Sequence, residues 1–430
     1  MRLLPPLLVL GATVSLILAR PRVGRLGRLH PTLAALAGAA SLGAMGILSA
    51  ADVASTVAGV ARPLLTVAAI MATTGAAHAM GIFDRLARII ELRTRGPVER
   101  AFAMVFLIAA AMATVFNNDA AILILTPIVV PLIARLYPKR PYLVEPFALA
   151  IFVAAGVAPL STSNPMNLVV AERAGISFHG YALRMIPVAL VSSYVSYRML
   201  RWAYRRELDD KVPAGGPEQG SLAPMEEEPL VALLIVLAVL VAYPVVSLLG
   251  GPVWVVALTG AVLTGFVGLR HGSVSARAWF GGVAWEVLLF MVALLCVATG
   301  LKNAGLLDAI AALYKLGGEH IFGQVAVVGA LSAVGSALLN NHPMAALNAL
   351  AVERLAGDPT YRVLAALVGG DLGPRLLPMG SLAGLLWLDL LRRMGAAIPT
   401  RRFLRMGLVT TPAALAVGLL VLWAESLLFP

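Results

Sequence analysis

The sequence predicts an all-α polytopic membrane protein with two inverted-topology repeats, each containing a helical hairpin and a discontinuous helix. Of its 430 residues, 60% are hydrophobic and 13% are charged, with a mean hydropathy of +0.89, whereas soluble domains carry about 25% charged residues. Apolar runs recur in the same order in both halves, and polar motifs recur 223 positions apart. A soluble fold is therefore excluded.

Each half contains a series of apolar runs that are typical of helices in a bilayer. They fall at 5–19, 31–50, 63–80, 101–116, 120–136, 146–172 and 181–200, and then at 229–248, 253–269, 286–300, 325–338, 343–355, 361–391 and 405–424. The polar segment between the halves is typical of a solvated linker. We therefore predict a first transmembrane repeat at 1–204, a cytoplasmic linker at 205–228 and a second transmembrane repeat at 229–430.

Matching motifs support the repeat. Asn117-Asn118 and Asn340-Asn341 lie 223 positions apart, and Pro6 and Pro229 open similar apolar runs at the same offset. An offset of domain size indicates a two-fold repeat and not a solenoid. The first run also has features of a signal peptide, but its counterpart at Pro229 predicts that it is retained as a span.

Each half contains a pair of short apolar runs with a polar tip between them. The runs of the first pair have 16 and 17 residues, fewer than the ~20 that span a bilayer, which favours a hairpin whose tip stops inside the membrane. Two short spans remain an alternative.

Asn118, Asp119 and His342 could serve only as helix caps, but each tip carries three polar side chains and a cap needs one. An unpaired Asp costs roughly 2.5–3.5 kcal/mol on insertion, so the tips predict a site.

A polar break follows each hairpin. Residues 159–167 interrupt one apolar run with hydroxyls, amides and two prolines, and residues 369–381 interrupt another with Gly and Pro. Irregular backbone at membrane depth is tolerated only where it is buried in protein or lines a cavity. Asp371 and Arg375 lie four positions apart, so mutual neutralisation is an alternative to a role in a site.

The distribution of Lys and Arg predicts the orientation in the membrane. If each hairpin returns to the side from which it entered, 24 of the 33 Lys and Arg residues fall on the cytoplasmic side. Both termini of this multi-pass protein are then periplasmic. The net charge of +11 resides in short loops, which argues against nucleic-acid binding. The single Cys296 lies in an apolar run and offers no disulfide or soft-metal site.

The segment from Gly370 to Arg375, with Pro378 to Leu388 behind it, resembles the signature of the bacterial arsenite/antimonite efflux permeases. The residues around Asn118-Asp119, Asn164 and Asn340-Asn341 resemble other motifs of that family, so the likeness covers nearly the whole chain. More distantly, the chain is similar to the ion-transporter superfamily, whose hairpin tips and breaks form the substrate site. Asn117, His342 and Pro165-Met166 depart from the family pattern, which leaves fine specificity open.

The resemblance implies secondary active efflux of arsenite or antimonite as neutral trihydroxides in exchange for protons, by alternating access. A neutral trihydroxide both donates and accepts hydrogen bonds, as amides and hydroxyls do. The substrate-binding candidates are Asn117, Asn118, Ser161, Thr162, Ser163, Asn164, Asn167, Asn340, Asn341 and Ser381. Proton coupling needs a titratable group inside the membrane, and the candidates are Asp119, then Asp371, and His342.

Other functions remain open on the sequence. A sodium/proton antiporter would need several carboxylates, and an anion or carboxylate transporter would need cationic groups. The two acids and one Arg near the breaks favour a neutral solute, which includes silicic acid. A membrane enzyme is disfavoured because catalytic motifs are missing from the sequence. We expect no cofactor and no resident metal. The lipid bilayer is an expected partner, and an ATPase acting in trans is an open possibility.

Overall fold

The computed structural model describes residues 4–19, 21, 29–83, 85, 88, 97–209 and 227–429. Throughout these ranges the secondary structure is helical and contains no strand. Eight of the helices are long and apolar enough to cross a bilayer, judged by length and composition. The predicted all-α membrane class is therefore confirmed. The basic segments 22–28 and 89–96, and most of the predicted linker, lie outside the described residues.

The helices follow the predicted apolar runs closely. In the first half they are α1 (Leu4–Ala19), α2 (Pro31–Ala44), α3 (Ala50–Ala79), α4 (Val98–Val115), α5 (Asn118–Leu136), α6 (Val144–Ala154), α7 (Pro165–Arg173), α8 (Phe178–Ala203) and the short α9 (Arg205–Leu208). In the second half they are α10 (Glu227–Leu248), α11 (Val253–His271), α12 (Ala276–Gly281), α13 (Trp285–Asn303), α14 (Leu306–Tyr314), α15 (Ile321–Leu339), α16 (Asn341–Val352), α17 (Thr360–Leu372), α18 (Leu382–Arg393) and α19 (Thr400–Leu428). Short 3-10 turns at Pro141–Leu143, Ser161–Ser163, Lys315–Gly317, Gly373–Arg375 and Pro378–Gly380 separate several of them.

The helices pack as two bundles. In the first bundle α3 packs against α11, and α2 packs against α13; in the second bundle α8 packs against α19, and α15 packs against α17. The two main contacts of the first bundle are equivalent under the repeat, because α2 corresponds to α11 and α3 to α13. Such an exchange of partners between halves is what a two-fold repeat predicts. That the halves have opposite orientations in the membrane stays a prediction.

Two helical hairpins lie in the second bundle. The first hairpin is formed by α4 and α5, which are 18 and 19 residues long and pack against each other. The second hairpin is formed by α15 and α16, and α16 has only 12 residues. At 1.5 Å per residue α16 rises about 18 Å, well short of the ~30 Å hydrocarbon core. This arm of the second hairpin is therefore too short to cross a bilayer. The arms of the first hairpin, predicted at 16 and 17 residues, are long enough to cross one, so two spans stay open as the alternative there.

The two breaks lie where polar residues interrupt the apolar runs, but with shifted boundaries. The first break is residues 155–164, between α6 and α7, and the second is residues 373–381, between α17 and α18. The sequence prediction placed the first break at 159–167, and both bounds were wrong because α6 ends at Ala154 and α7 begins at Pro165. It started the second break at Gly369, and this was wrong by four residues. Gly369 lies within α17, where a Cβ atom would lie 2.1 Å from the carbonyl oxygen of Gly329 in α15. Its small size serves close helix packing and does not end the helix.

Contacts between helix ends show which ends share a face of the molecule. At one end Arg173 lies 2.9 Å from Glu353, and Arg354 lies 2.9 Å from Asp308. At the other end Arg201 lies 2.6 Å from Glu99, and the Glu145 carboxylate pairs with the last long helix. These two groups match the two sides predicted from Lys and Arg. Which of the two faces is periplasmic stays a prediction.

Candidate functional site

The first asparagine of each tip shapes the turn of its hairpin. Asn117 and Asn340 have φ angles of 155° and 78°, and they are the non-glycine residues with positive φ in the described ranges. Each also caps the helix that follows. The Asn117 side-chain oxygen accepts from the Ala120 amide at 2.8 Å, and that of Asn340 accepts from the His342 amide at 3.3 Å. The two tips are therefore built alike, and asparagine suits both the backbone and the cap.

The second asparagine of the first tip contacts a break, whereas that of the second tip contacts its neighbour in the same tip. The Asn118 amide nitrogen donates to the carbonyl of Gly156 in the first break at 3.2 Å. The Asn341 side-chain oxygen lies 2.7 Å from Nδ1 of His342. Both asparagines open the first turn of a helix, α5 and α16 respectively. Each hairpin thus places an amide next to the free N–H groups of a helix N-terminus.

Asp371 at the end of α17 joins the second half to the first break. One carboxylate oxygen accepts from the Asn164 amide at 2.7 Å, and the other accepts from the Asn167 amide at 2.8 Å and the Ala158 backbone N–H at 2.9 Å. The Tyr181 hydroxyl holds this arrangement, lying 2.9 Å from the Asn167 amide. Three N–H donors match a carboxylate, which only accepts hydrogen bonds.

Arg375 is fully buried but does not hydrogen-bond to Asp371. Its guanidinium donates to the Ser196 hydroxyl at 2.9 Å and to the backbone carbonyl of Val153. It fills the space beside Gly156, where a Cβ atom would lie 2.2 Å from a guanidinium nitrogen. The two charges therefore lie in one region but have separate partners. Simple mutual neutralisation does not describe their contacts.

A small cavity lies where both tips and both breaks meet. Its volume is about 30 Å³, which is close to the volume of one water molecule in the liquid. The residues that line it are Asn118, Asp119, Ile122, Phe152, Ala155, Asn164, Asn341, Asp371, Pro374, Arg375, Ser381 and Ala383. We call it the central cavity. Its polar wall combines amides, a hydroxyl, two carboxyls and one guanidinium.

A wider cavity of about 300 Å³ lies beside the central cavity. We call it the vestibule. It lies between the two bundles, because α3 lines one side and both hairpin tips line the other. Asp119 lines both cavities, and among the described residues no hydrogen bond or ion pair reaches its carboxylate. His342 and His78 also line the vestibule. The buried Nε2 of His342 has no hydrogen-bond partner in the described ranges.

Comparison with known proteins identifies the family. The family model described as "Citrate transporter" matches residues 14–384. The chain is 29% identical over 350 residues to the "Arsenical pump membrane protein" of Escherichia coli strain K12, covering 80% of this chain and 81% of that protein. It is 30% identical over 348 residues, with the same coverage, to the "Arsenical pump membrane protein" of Yersinia enterocolitica. The chain belongs to the arsenical pump membrane protein family. Its members are membrane transporters and not enzymes.

Two solved transporter structures share the fold of this permease. The YdaH transporter of Alcanivorax borkumensis superimposes with a TM-score of 0.59 at 14% identity, covering 97% of this chain and 99% of that one. MtrF of Neisseria gonorrhoeae, described as belonging to a class of antimetabolite efflux pumps, superimposes with a TM-score of 0.52 at 13% identity, covering 98% of this chain and 94% of that one. At such identities the likeness concerns the fold alone.

The permease brings together part of the predicted residue set. Asn118, Asp119, Asn164, Asn341, Asp371 and Ser381 line the central cavity. Asn117 and His342 face the vestibule, Asn340 caps a helix, and Asn167 supports Asp371.

The three hydroxyl residues of the first break line neither the central cavity nor the vestibule. Ser163 donates to the Thr114 carbonyl at 2.9 Å. Thr162 lines a separate narrow pocket, and Ser161 is buried.

His78 in the vestibule was missed by the sequence reasoning. It lies near the end of α3, and a single histidine there is typical of a helix end in contact with solvent. It also has no counterpart in the repeated motifs. Only the packing of α3 against the hairpin tips reveals its position. Groups of three or more His, Cys, Asp or Glu that could hold a metal are not found within the described residues.

Proposed function

We propose that this permease exports arsenite and antimonite as neutral trihydroxides, in exchange for protons, by alternating access. The observation that carries the proposal is the wall of the central cavity, where amides from both tips and the first break converge with the Ser381 hydroxyl. These groups donate and accept hydrogen bonds, as a trihydroxide requires. The names of the relatives support arsenicals as the substrate class.

The charges around the central cavity favour a neutral solute over an anion or a cation. Asp119, Asp371 and Arg375 all line it. Arg375 donates to Ser196 and Val153, and its Nε has no partner among the described residues, but the two carboxyls in the same wall disfavour an anion. Asp371 already accepts from three donors, so it offers little to sodium. A carboxylate anion remains the second candidate, because Arg375 lines the cavity and the matching family is described as a citrate transporter.

Asp119 is the proposed proton carrier. Its carboxylate has no hydrogen-bond partner among the described residues, so it can change protonation state without breaking a bond. Asp371 would have to give up its charge-assisted hydrogen bonds to be protonated. His342 shares the vestibule with Asp119 and has a free Nε2, which makes it the proposed second titratable group. Moving one charge through the membrane potential is worth about 2.3 kcal/mol per 100 mV, which can drive export of a neutral solute.

The vestibule is the proposed access route. At about 30 Å³ the central cavity is too small for a trihydroxide, whereas the neighbouring vestibule has about 300 Å³. Binding then requires the tips and breaks to separate. We propose that the second bundle, which carries all four polar features, moves against the first as a rigid or elevator-like body.

The proposal places the protein in the bacterial inner membrane with both termini periplasmic, as the Lys and Arg distribution predicts. In that orientation the end carrying Glu99, Arg201 and Glu145 faces the cytoplasm. An arsenite-stimulated ATPase in trans would be a second energy source. Transport by the purified protein without ATP would show that protons suffice.

Uptake of arsenite into everted vesicles and proteoliposomes tests this function. With an imposed proton gradient and no ATP, the wild-type protein should take up arsenite or antimonite, and sodium, silicic acid and citrate should not compete. Asp119→Asn should lose the response to the gradient. Asp389→Asn is the matched control, because Asp389 pairs at 2.8 Å with Arg393 outside the site.

Two results would contradict the proposal. If Asp119→Asn and Asp371→Asn both left proton-dependent uptake unchanged, the coupling mechanism would be wrong. If citrate or sodium, and not arsenite, depended on the gradient, the substrate assignment would be wrong.

A further inference from the structure

A third cavity, larger than the vestibule and the central cavity, lies outside both of them. It has a volume of about 680 Å³ and runs between α4 of the first hairpin and α8. Its lining is mostly apolar and includes Ala110, Leu160 and Leu190. Its inner end touches the candidate site, because Asn118 and Gly156 form part of the wall. We call it the lateral cavity.

The lateral cavity opens toward lipid. Leu107, Leu190 and Tyr194 line it and are 67%, 66% and 58% exposed. Leu107 lies on a helix that is long and apolar enough to cross the membrane, so its exposed face contacts acyl chains. Water would find few hydrogen-bond partners in such a cavity. An empty cavity would forfeit the dispersion contacts of its lining. An acyl chain therefore fits the lateral cavity better than water does.

A cationic group lies at one end of the lateral cavity. Arg198 donates to the Tyr194 hydroxyl at 2.9 Å, and its guanidinium lies 5.8 Å from the centre of the Tyr194 ring. Both side chains are exposed. A guanidinium has five N–H donors in a fork that fits a phosphate, and Tyr and Arg near the end of a span are typical of the headgroup level. These contacts place Arg198 beside Tyr194, which lines the cavity.

We propose that the lateral cavity binds one anionic phospholipid, with an acyl chain between α4 and α8 and its phosphate at Arg198. In a bilayer the acyl chain is already in apolar surroundings, so burial from water does not drive this binding. The favourable free energy of binding comes from filling the void and from the contact between Arg198 and the phosphate. The end of the acyl chain lies beside Asn118, so the bound lipid supports the tip of the first hairpin.

Native mass spectrometry of the full-length protein, released from membranes in mild detergent, tests the proposal. Phosphatidylglycerol should stay bound to the wild-type protein with one-to-one stoichiometry and should raise its Tm. Ala110→Trp fills the lateral cavity and should weaken binding by about tenfold, or about 1.4 kcal/mol. Ala416→Trp places the same side chain at an exposed position of α19 and should leave binding unchanged. Arg198→Gln should keep a bound lipid but lose the preference for phosphatidylglycerol over phosphatidylcholine.

Photo-labelling of the unmodified protein provides a test that needs no variant to fold. Phosphatidylglycerol with a diazirine near the end of one acyl chain should label peptides that contain residues 103–114 and 186–197. Equal labelling of the exposed surface of α10, or equal lipid retention by the wild type and Ala110→Trp, would overturn the proposal.

Discussion

Asn340 combines a backbone conformation that few side chains tolerate with a helix cap. Its φ of 78° is in the left-handed region, and its side chain accepts from the His342 amide. Asn340→Ala should lower the free energy of unfolding by about 2 kcal/mol, because both the cap and the tolerated conformation are lost. Asn340→Gly should cost only a few tenths of a kcal/mol, since glycine accepts positive φ.

Thermal unfolding in detergent measures this difference. Asn303→Ala is a control outside the tips. Asn303 is the last residue of α13, is exposed and donates a hydrogen bond to the Ile47 carbonyl. Equal losses of Tm for Asn340→Ala and Asn340→Gly would show that the backbone conformation of the tip is not a constraint.

Asp371 and Asp119 differ in their partners, and this predicts different effects of the same substitution on stability. Asp371→Asn removes a charge that accepts from Asn164, Asn167 and Ala158. It also adds an NH₂ group that would face these donors, so we expect a loss of roughly 1.5–3 kcal/mol of stability. Asp119→Asn breaks no hydrogen bond among the described residues and should leave Tm almost unchanged.

Tm values of the two variants, measured beside proton-driven uptake, separate stability from coupling. Asp371→Asn should lose both, and Asp119→Asn should lose coupling alone. A large fall in Tm for Asp119→Asn would mean that Asp119 has a structural role instead.

The polar residues of the tips could be predicted from the sequence, but the separate contacts that each of them makes could not. A doubled asparagine in an apolar run marks a tip whatever its rotamers are, so Asn118 and Asn341 were found. The hydroxyls from Ser161 to Ser163 looked equally suitable, and yet the 3-10 turn directs the Ser163 hydroxyl to the Thr114 carbonyl. Side-chain direction in a non-helical segment depends on local turns that residue types alone do not specify.

Close packing of α17 on α15 depends on individual glycines. A Cβ atom on Gly369 would lie 2.1 Å from the Gly329 carbonyl oxygen, whereas one on Gly370 would have its nearest neighbours at 3.8 Å, the hydroxyls of Ser332 and Ser336. Gly369→Ala should therefore push the two helices apart and lower Tm markedly. Gly370→Ala should be neutral or stabilising, because alanine favours the helix by up to about 1 kcal/mol.

Comparison of Tm and expression for Gly369→Ala and Gly370→Ala checks this prediction, since the same change is made at neighbouring positions. Similar behaviour of the two variants would show that α17 can shift on α15 at little cost.

The boundaries of the helices illustrate why a break is harder to place than a hairpin. Glycine ends or interrupts a helix on propensity grounds, so Gly369 was predicted to begin the second break. In the structure the helix continues through Asp371 because packing against α15 offsets the weak propensity of Gly369 and Gly370. Pro165 was placed inside the first break, but proline can open a helix at its first position, and α7 begins there.

The arrangement of the molecule places the central cavity entirely in one bundle. Both hairpins and both breaks belong to the second bundle, and the first bundle meets them across the vestibule through α3 and α13. Composition and repeat spacing predicted the number and order of these elements. They could not predict which helices form each bundle, because that depends on packing between residues more than 200 positions apart.

A disulfide between the bundles should stop transport if the second bundle moves against the first. Helix α10 packs mainly against α11 of the first bundle. The hydroxyl oxygen of Ser247 in α10 lies 3.0 Å from Nδ1 and 3.3 Å from the backbone nitrogen of His179 in α8 of the second bundle, so we expect cysteines at these positions to form a bridge. Thr56 and Thr299 are both in the first bundle, and their hydroxyls lie 3.1 Å apart.

In a Cys296→Ala background, oxidation of the His179→Cys/Ser247→Cys pair should abolish uptake into proteoliposomes, and a reductant should restore it. Oxidation of Thr56→Cys/Thr299→Cys, the matched pair within one bundle, should leave uptake intact. Full activity of the oxidised pair between the bundles would mean that these two helices move together, and the moving body would then have to be confined to the hairpins and breaks.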